Sequence, residues 1–308
     1  MTTYRSTLYG LTIESPFPLP GAFPLADGTA ADVTITWEAE TAWRTAARAL
    51  PASSDGPGSA LLGETEDGGL CIEWRRELQL VIAPSNDHMT VICTAAKLEF
   101  VPTVLVGIGL GLLLHRRGIT CLHGSVVSVH GRTIALLGDS GAGKSTTAAA
   151  LVAQGGILVS DDIAALRANG DRFIVARGCA NVRLDPEASA RIVRTGQRLA
   201  TAPWVDKLLW DVSGDSGASL RPDPHLDALY LLKQARDGDA VTISPPLPAA
   251  QALPKLVDCW YPQGFIRLLT QARFDGLRTI AERVPMFELS FPRRWDILPQ
   301  ITVALGIG

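Results

Sequence analysis

Nine consecutive residues near the middle of the chain, Gly138-Asp139-Ser140-Gly141-Ala142-Gly143-Lys144-Ser145-Thr146, fit the spacing G-x-x-x-x-G-K-[ST]. The chemistry that such a spacing serves is phosphate binding. Glycines let backbone N–H groups close around phosphate oxygens, and the start of the following helix adds partial positive charge. Lys144 would bring a point charge to the β- and γ-phosphates, and the Ser145 hydroxyl would be a ligand for Mg²⁺. Seventeen and eighteen residues beyond Lys144 stand Asp161 and Asp162. A right-handed strand–helix–strand crossover would bring them to the edge of the phosphate loop. Adjacent strand residues face opposite ways, so the pair could divide the work, Asp161 on Mg²⁺ and Asp162 toward an incoming acceptor. The plainer alternatives are a glycine-rich turn for the loop and a capping role for the aspartates.

The elements that must hold these residues can be read on either side of them. Ser125 to Val129 and Thr133 to Leu137 are β-branched runs around a turn at Gly131, so the loop follows a strand. Ser145 to Ala153 reads as an alanine-rich helix ended by Gly155-Gly156, and Ile157 to Val159 as a buried strand. Asp185-Pro186-Glu187 has the form of a helix start, with an N-cap, a proline in the first turn and an acid for the dipole. Further on, Ala228 to Leu232 reads as a strand, Ala249 to Trp260 and Pro262 to Ala272 as helical, and Trp295 to Leu305 as an amphipathic close. This alternation of strands and helices begins near Leu98 and implies an α/β sheet flanked by helices, a domain over 98–308.

The first 97 residues read differently, as a small β-rich domain. Val33 to Trp37, Leu70 to Trp74, Leu78 to Ile82 and Met89 to Thr94 carry strand patterning, with Arg75-Arg76-Glu77 and Pro84 to His88 as turns. Pro51 to Gly69, rich in Pro, Gly, Ser and Asp, reads as a mobile loop. The apolar run Val101 to Leu114 is fourteen residues long. A bilayer span needs about 20, so the run reads as a buried helix leading into the second domain.

Composition limits what the chain can do. With 308 residues, 47% of them hydrophobic and 19% charged, it can bury a core. A net charge of −3 gives no field for nucleic acid or an anionic membrane, and neither is expected as a partner. Five cysteines without paired short spacings point away from a disulfide framework and from a zinc cluster, toward reduced thiols in the cytoplasm. The oligomeric state, a homo-oligomer included, stays open.

Leu122-His123-Gly124 before a strand, then the loop, then Leu158-Val159-Ser160-Asp161-Asp162 together resemble the catalytic domain of HPr serine kinase/phosphorylase over about Ile119 to Ala165. That resemblance implies an HPr-kinase-like P-loop fold for residues 98–308, with ATP and Mg²⁺ as donor and cofactor. It implies that Asp162 is the base for an acceptor hydroxyl and that His123 lies near the γ-phosphate, although a histidine hydrogen-bonded in a turn would also fit. The sequence departs from the family at Val175-Ala176-Arg177-Gly178, where those enzymes carry a metal-binding glutamate, which points away from the reverse, phosphorylase reaction. Tyr9-Gly10-Leu11-Thr12-Ile13 with Pro18-Leu19-Pro20, and Asn181-Val182-Arg183-Leu184-Asp185-Pro186, resemble a branch found with lasso-peptide and related ribosomal peptide pathways. Members of that branch resemble kinases acting on a serine, often C-terminal, of a precursor peptide. For such an acceptor carboxylate, Arg177, Arg183 and Lys207 are candidate cations, each equally readable as a surface charge. The alternatives to a peptide kinase are a kinase of free serine and a nucleotide-binding regulatory ATPase.

Overall fold

A computed structural model describes the chain except for residues 1, 27, 51–59, 75–76, 195–198, 203–206, 214–222, 237, 239, 263–267 and 307–308. Expectations for residues 51–59, the 75–76 turn and the 263–267 part of the Pro262 to Ala272 helix lie outside the described residues. The chain divides into two compact units, Met1–Ile119 with Pro262–Thr270, and Thr120–Tyr261 with Gln271–Gly308.

The first unit is built on a nine-stranded sheet among the described residues, with Val33–Glu38 and His88–Cys93 at its centre. Those two strands run parallel to each other, while the segments Leu78–Ile82, Leu70–Trp74 and Ala60–Glu64 continue as an antiparallel meander. The unit extends beyond residue 97, to Ile119, because the apolar run packs here. Gly109 lies so close to Leu80 and Met89 that a Cβ would meet them at 3.1 and 3.2 Å, and the Tyr9 hydroxyl donates to the Val106 carbonyl. The run is helical at Val101–Val104 and Leu110–Arg116, with a wider turn between them and non-helical backbone at Gly107. Part of the stretch expected as a loop is strand, at Ala60–Glu64. Ala60–Glu64 pairs with Leu70–Trp74, and Gly63 is glycine because Ala46 Cβ would stand 2.4 Å from an added methyl group. That glycine marks a close approach inside a strand, not a turn.

The second unit centres on the ten-residue strand Thr120–Val129. On one edge it forms a hairpin with Arg132–Leu137 through His130 and Gly131, both at positive φ. From that strand the sheet continues to Ala228–Gln234 and Met286–Phe291 in parallel. On the other edge two strands share the central one end to end. Ile157–Ser160 pairs with its second half and Ile163–Asn169 with its first half, both antiparallel. The strands before and after the Lys144–Ala153 helix are therefore parallel but not neighbours, since the central strand lies between them. A small sheet of Asn181–Leu184, Lys207–Asp211 and Leu199–Ala202 stands apart. The helix Lys144–Ala153 turns Ala148, Ala149, Leu151 and Val152 into a core with Val127, Leu136, Leu158, Val182, Trp210 and Ile301. Its alanines allow that close approach. All five cysteines are free and buried, and no described helix is long and apolar enough to cross a membrane.

Gly124 sits on the central strand opposite Leu137, where a Cβ would meet Leu137 Cδ2 at 2.6 Å and the Leu136 carbonyl oxygen at 2.7 Å. Backbone cannot give way cheaply there. Gly124→Ala is expected to lower stability by about 1–3 kcal/mol in urea unfolding; unchanged stability would contradict this packing.

Candidate functional site

The jog between Ile157–Ser160 and Ile163–Asn169 places two carboxylates at one spot. Asp161 and Asp162 form the bend where the chain passes from one half of the central strand's edge to the other. They are not strand residues, as their expected opposite facing required. Asp162 adopts φ +76°, uncommon for a residue other than glycine, and its carbonyl accepts from Gly124 N–H at 3.2 Å. The bend turns both side chains into one cavity with the phosphate loop.

Gly138, Gly141 and Gly143 all have positive φ, and Gly143 leads directly into the helix that begins at Lys144. Lys144 is buried, and its Nζ donates to the carbonyls of Gly138 at 2.7 Å and Asp139 at 2.9 Å. Burial pushes its pKa down, while the Cys259 thiol, Asp161, Asp162 and Asp139 oppose the shift. Gly138 could not be alanine without meeting Ala142 Cβ and the Leu232 carbonyl oxygen at 3.2 Å.

Asp161, 4% exposed, is satisfied from three elements. Ser125 Oγ donates to its Oδ1 at 2.6 Å, Ser145 Oγ to the same oxygen at 3.0 Å, and Arg183 N–H to Oδ2 at 3.0 Å. A serine hydroxyl facing a carboxylate offers hard oxygen donors of the kind Mg²⁺ takes, so Ser145 and Asp161 could hold that ion. Ser125 was missing from the sequence-level candidates. It stands two residues after His123, hence on the same strand face, and that period was the available signal.

Asp162 is held by charge. Arg183 Nη1 lies 3.1 Å from its Oδ2, and His123 Nδ1 lies 3.3 Å from Oδ1 and 3.1 Å from the Asp162 carbonyl oxygen. Both His123 contacts are acceptors, so Nδ1 carries a proton. Burial favours the neutral acid at Asp162, yet Arg183, the His123 hydrogen bond and charge, and Lys207 together outweigh it and hold the carboxyl well below the usual carboxylate range. The charge of Asp162 in turn raises the Arg183 pKa. His123 is fixed in position: its backbone N–H donates to the Cys259 carbonyl at 2.6 Å, and its ring stacks on buried Tyr261 with centroids 6.2 Å apart.

Lys207 and Arg183 come from paired strands of the small sheet and both line the cavity. Arg177 is half-buried and is not among the described lining residues. Asp185 lines the cavity and also caps its helix, accepting from Ala188 N–H at 2.7 Å. Arg293, from the far C-terminal segment, donates to the Gly141 carbonyl. No sequence pattern linked it to a loop 152 positions away.

The ion pair at Asp162 has a definite pH signature. Its folded pKa is depressed, so its stabilisation is present above the unfolded value of 3.8 and is lost as pH falls through the folded one. Asp162→Asn should therefore be less stable than wild type near neutral pH, with the gap narrowing below pH 3.8. Denaturant melts across that range check this; a gap independent of pH would exclude the ion pair.

Comparison with known proteins bears on the same segment. Residues 118–183 match the family model of the HPr Serine kinase C-terminal domain. The chain is 38% identical over 94 residues to the HPr kinase/phosphorylase of Mycoplasmopsis pulmonis, covering 30% of this chain and 29% of that one. It is 33% identical over 104 residues to that of a Geobacillus species, covering 30% and 33%. The chain thus spans a third or less of the length of these relatives. A solved HPr(Ser) kinase/phosphatase from Coxiella burnetii is similar at a TM-score of 0.33 and 14% identity, over 60% of this chain and 93% of that one. The segment matched by the family model runs from the start of the central strand through the phosphate loop and the two aspartates to Arg183, and across it this chain is similar to the HPr Serine kinase C-terminal domain.

Proposed function

We propose that this chain is an ATP- and Mg²⁺-dependent kinase that transfers the γ-phosphoryl group to a serine hydroxyl. The observation that carries the reading is the convergence, in one cavity, of the buried Lys144, the Ser145–Asp161 pair and the Asp162–Arg183–His123 cluster. The HPr Serine kinase C-terminal domain model matches over this same segment. Phosphoryl transfer asks a protein mainly for positioning and charge. On nucleotide binding, Lys144 exchanges its carbonyl partners for phosphate oxygens. Mg²⁺, held by Ser145 and Asp161, would supply charge neutralisation for the phosphates. His123, fixed by Tyr261 and by its bond to Asp162, presents its ring at the γ end.

The acceptor hydroxyl hydrogen-bonds to Asp162. Its oxygen forms the new bond to phosphorus as the bond to the β-phosphate bridging oxygen breaks, and its proton passes to the Asp162 carboxylate while ADP departs. A carboxyl held so acidic by Arg183 is a weak base toward a neutral alcohol. The proton therefore moves late, when bonding to phosphorus has already acidified the hydroxyl. Asp162 first orients the nucleophile and then receives its proton.

The acceptor this reading favours is a precursor peptide from a lasso or related ribosomal pathway, phosphorylated on its C-terminal serine in the cytoplasm. Its support is the likeness of the Tyr9–Ile13 and Asn181–Pro186 stretches to that branch. Arg183 and Lys207 stand where a terminal carboxylate would lie next to the reacting hydroxyl, and Arg183 would give a bidentate site.

Mass spectrometry after incubation with Mg·ATP tests the reading, with peptides ending in serine, the same peptides amidated, and free serine as acceptors. A gain of one phosphoryl group on the free-carboxylate peptides, reduced at least tenfold by Lys207→Ala or by amidation, is the expected result. Gain on free serine alone would move the substrate to a small molecule. ATP hydrolysis with no acceptor modified would favour a regulatory ATPase. Asp162→Asn should lower transfer by 10²-fold or more, in the range for a positioned proton acceptor, and leave ATP affinity within about threefold. Undiminished transfer in that variant would remove Asp162 from its role.

A further inference from the structure

The cavity that holds the phosphate loop has no apolar wall. Its described lining consists of glycines, hydroxyls, His123 and charged groups such as Lys144, Asp162, Arg183 and Arg293. It suits the phosphates of a nucleotide and offers nothing to a base. A second cavity shares Gly143, Thr146, Asp185 and Arg293 with the first, so the two adjoin. It lies on the side of the helix start away from Lys144 and Ser145, reaching Thr147 in the next turn. Its far wall is the C-terminal segment, where Phe291, Pro292, Trp295, Ile297 and Leu298 supply the apolar surface that the first cavity lacks.

From this adjacency we infer that the Phe291–Leu298 segment forms the nucleoside pocket of the phosphoryl donor, with Trp295 as its aromatic surface and Arg293 at the junction between base and phosphates. The inference rests on the kinase reading, and it adds where the purine is recognised. Trp295 is held ready for a ligand. Its indole N–H donates to Glu187 Oε1 at 2.8 Å, and the Arg191 guanidinium lies 5.1 Å from the ring centroid. Arg191 in turn donates to the same Glu187 carboxylate at 3.2 Å, so the tryptophan is fixed by a closed three-residue arrangement on the helix Pro186–Ile192 and the residues before the last helix. Arg293, anchored on the Gly141 carbonyl, contributes to both cavities. A planar base and its ribose would lie against the apolar wall, with the triphosphate leading past Thr146 to Lys144. Ligand sites of this kind combine an apolar enclosure with a few placed polar groups.

Calorimetric titration with Mg·ATP and, separately, with inorganic tripolyphosphate tests this on the full chain. The expected result is that wild type binds ATP more tightly than tripolyphosphate, and that Trp295→Ala lowers ATP affinity by roughly tenfold, the loss of one aromatic contact with a base, with tripolyphosphate affinity unchanged. Trp295→Phe, which keeps an aromatic surface in place, should retain most of the ATP affinity and guards against a variant that fails to fold. Equal affinity of wild type for the two ligands, or a parallel loss of both in Trp295→Ala, would overturn the pocket while leaving the phosphate site standing. Wild type that binds neither would overturn the kinase reading itself.

Discussion

A buried carboxylate must find hydrogen-bond donors, and in this fold that requirement falls on Asp161. Its three donors come from three elements: Ser125 on the central strand, Ser145 in the first turn of the helix after the phosphate loop, and the backbone of Arg183 on the small sheet. Each must be in place, because an unpaired buried charge costs several kcal/mol. The carboxylate thus draws the loop, the sheet edge and the small sheet to a common point. The groups proposed for chemistry follow from that fixation: Asp162 is the next residue, and the Arg183 side chain leaves from the same position whose N–H reaches Asp161.

The cost of this arrangement shows in the backbone. Two strands abut along one edge of Thr120–Val129, and the chain between them has only Asp161 and Asp162 with which to make the jog. Asp162 takes a left-handed conformation to do so. Asparagine and aspartate tolerate that region better than most residues, and the hydrogen bond from Gly124 N–H to its carbonyl supports it. Gly124 is itself fixed as glycine by the approach of Leu136 and Leu137. The histidine–glycine pair and the aspartate pair, separated by 36 residues of chain, are therefore two sides of one feature: the glycine lets the sheet close tightly, and the aspartate turns where the edge is interrupted.

Much of this was legible in the sequence. The loop, its helix, the strands on either side and the Asp185 cap are all local patterns, written in glycine spacing, β-branched runs and a proline after an acid. What could not be read locally was pairing over long distances. A strand–helix–strand pattern gives the direction of the two strands but not the presence of a third between them, so the aspartates were expected on a neighbouring strand and not in a bend. The run Val101–Leu114 is apolar throughout, and apolarity does not say which sheet it covers. Gly63 read as a loop residue because nothing in a sequence distinguishes a turn glycine from one forced by a neighbour such as Ala46. Arg293 and Trp295 carried no signal at all, since their relation to the loop exists only after the last parallel strand, Met286–Phe291, has been laid into the sheet.

The charges around the loop share a further property. Lys144 is bonded to loop carbonyls, Ser145 to Asp161, Arg183 to Asp162 and Arg293 to the Gly141 carbonyl. These four groups are already satisfied by the protein. Such a site is rigid without ligand, which favours catalysis by preorganised charge, but each internal contact must be exchanged for a better one when a ligand binds. A single phosphate could replace only some of them. A nucleotide triphosphate with its metal, together with an acceptor carrying its own anionic group, could replace nearly all, and the four cations Lys144, Arg183, Lys207 and Arg293 against three carboxylates, Asp161, Asp162 and Asp185, leave the cavity suited to a polyanion. Selectivity for the complete pair of substrates then arises from the same contacts that hold the empty site together.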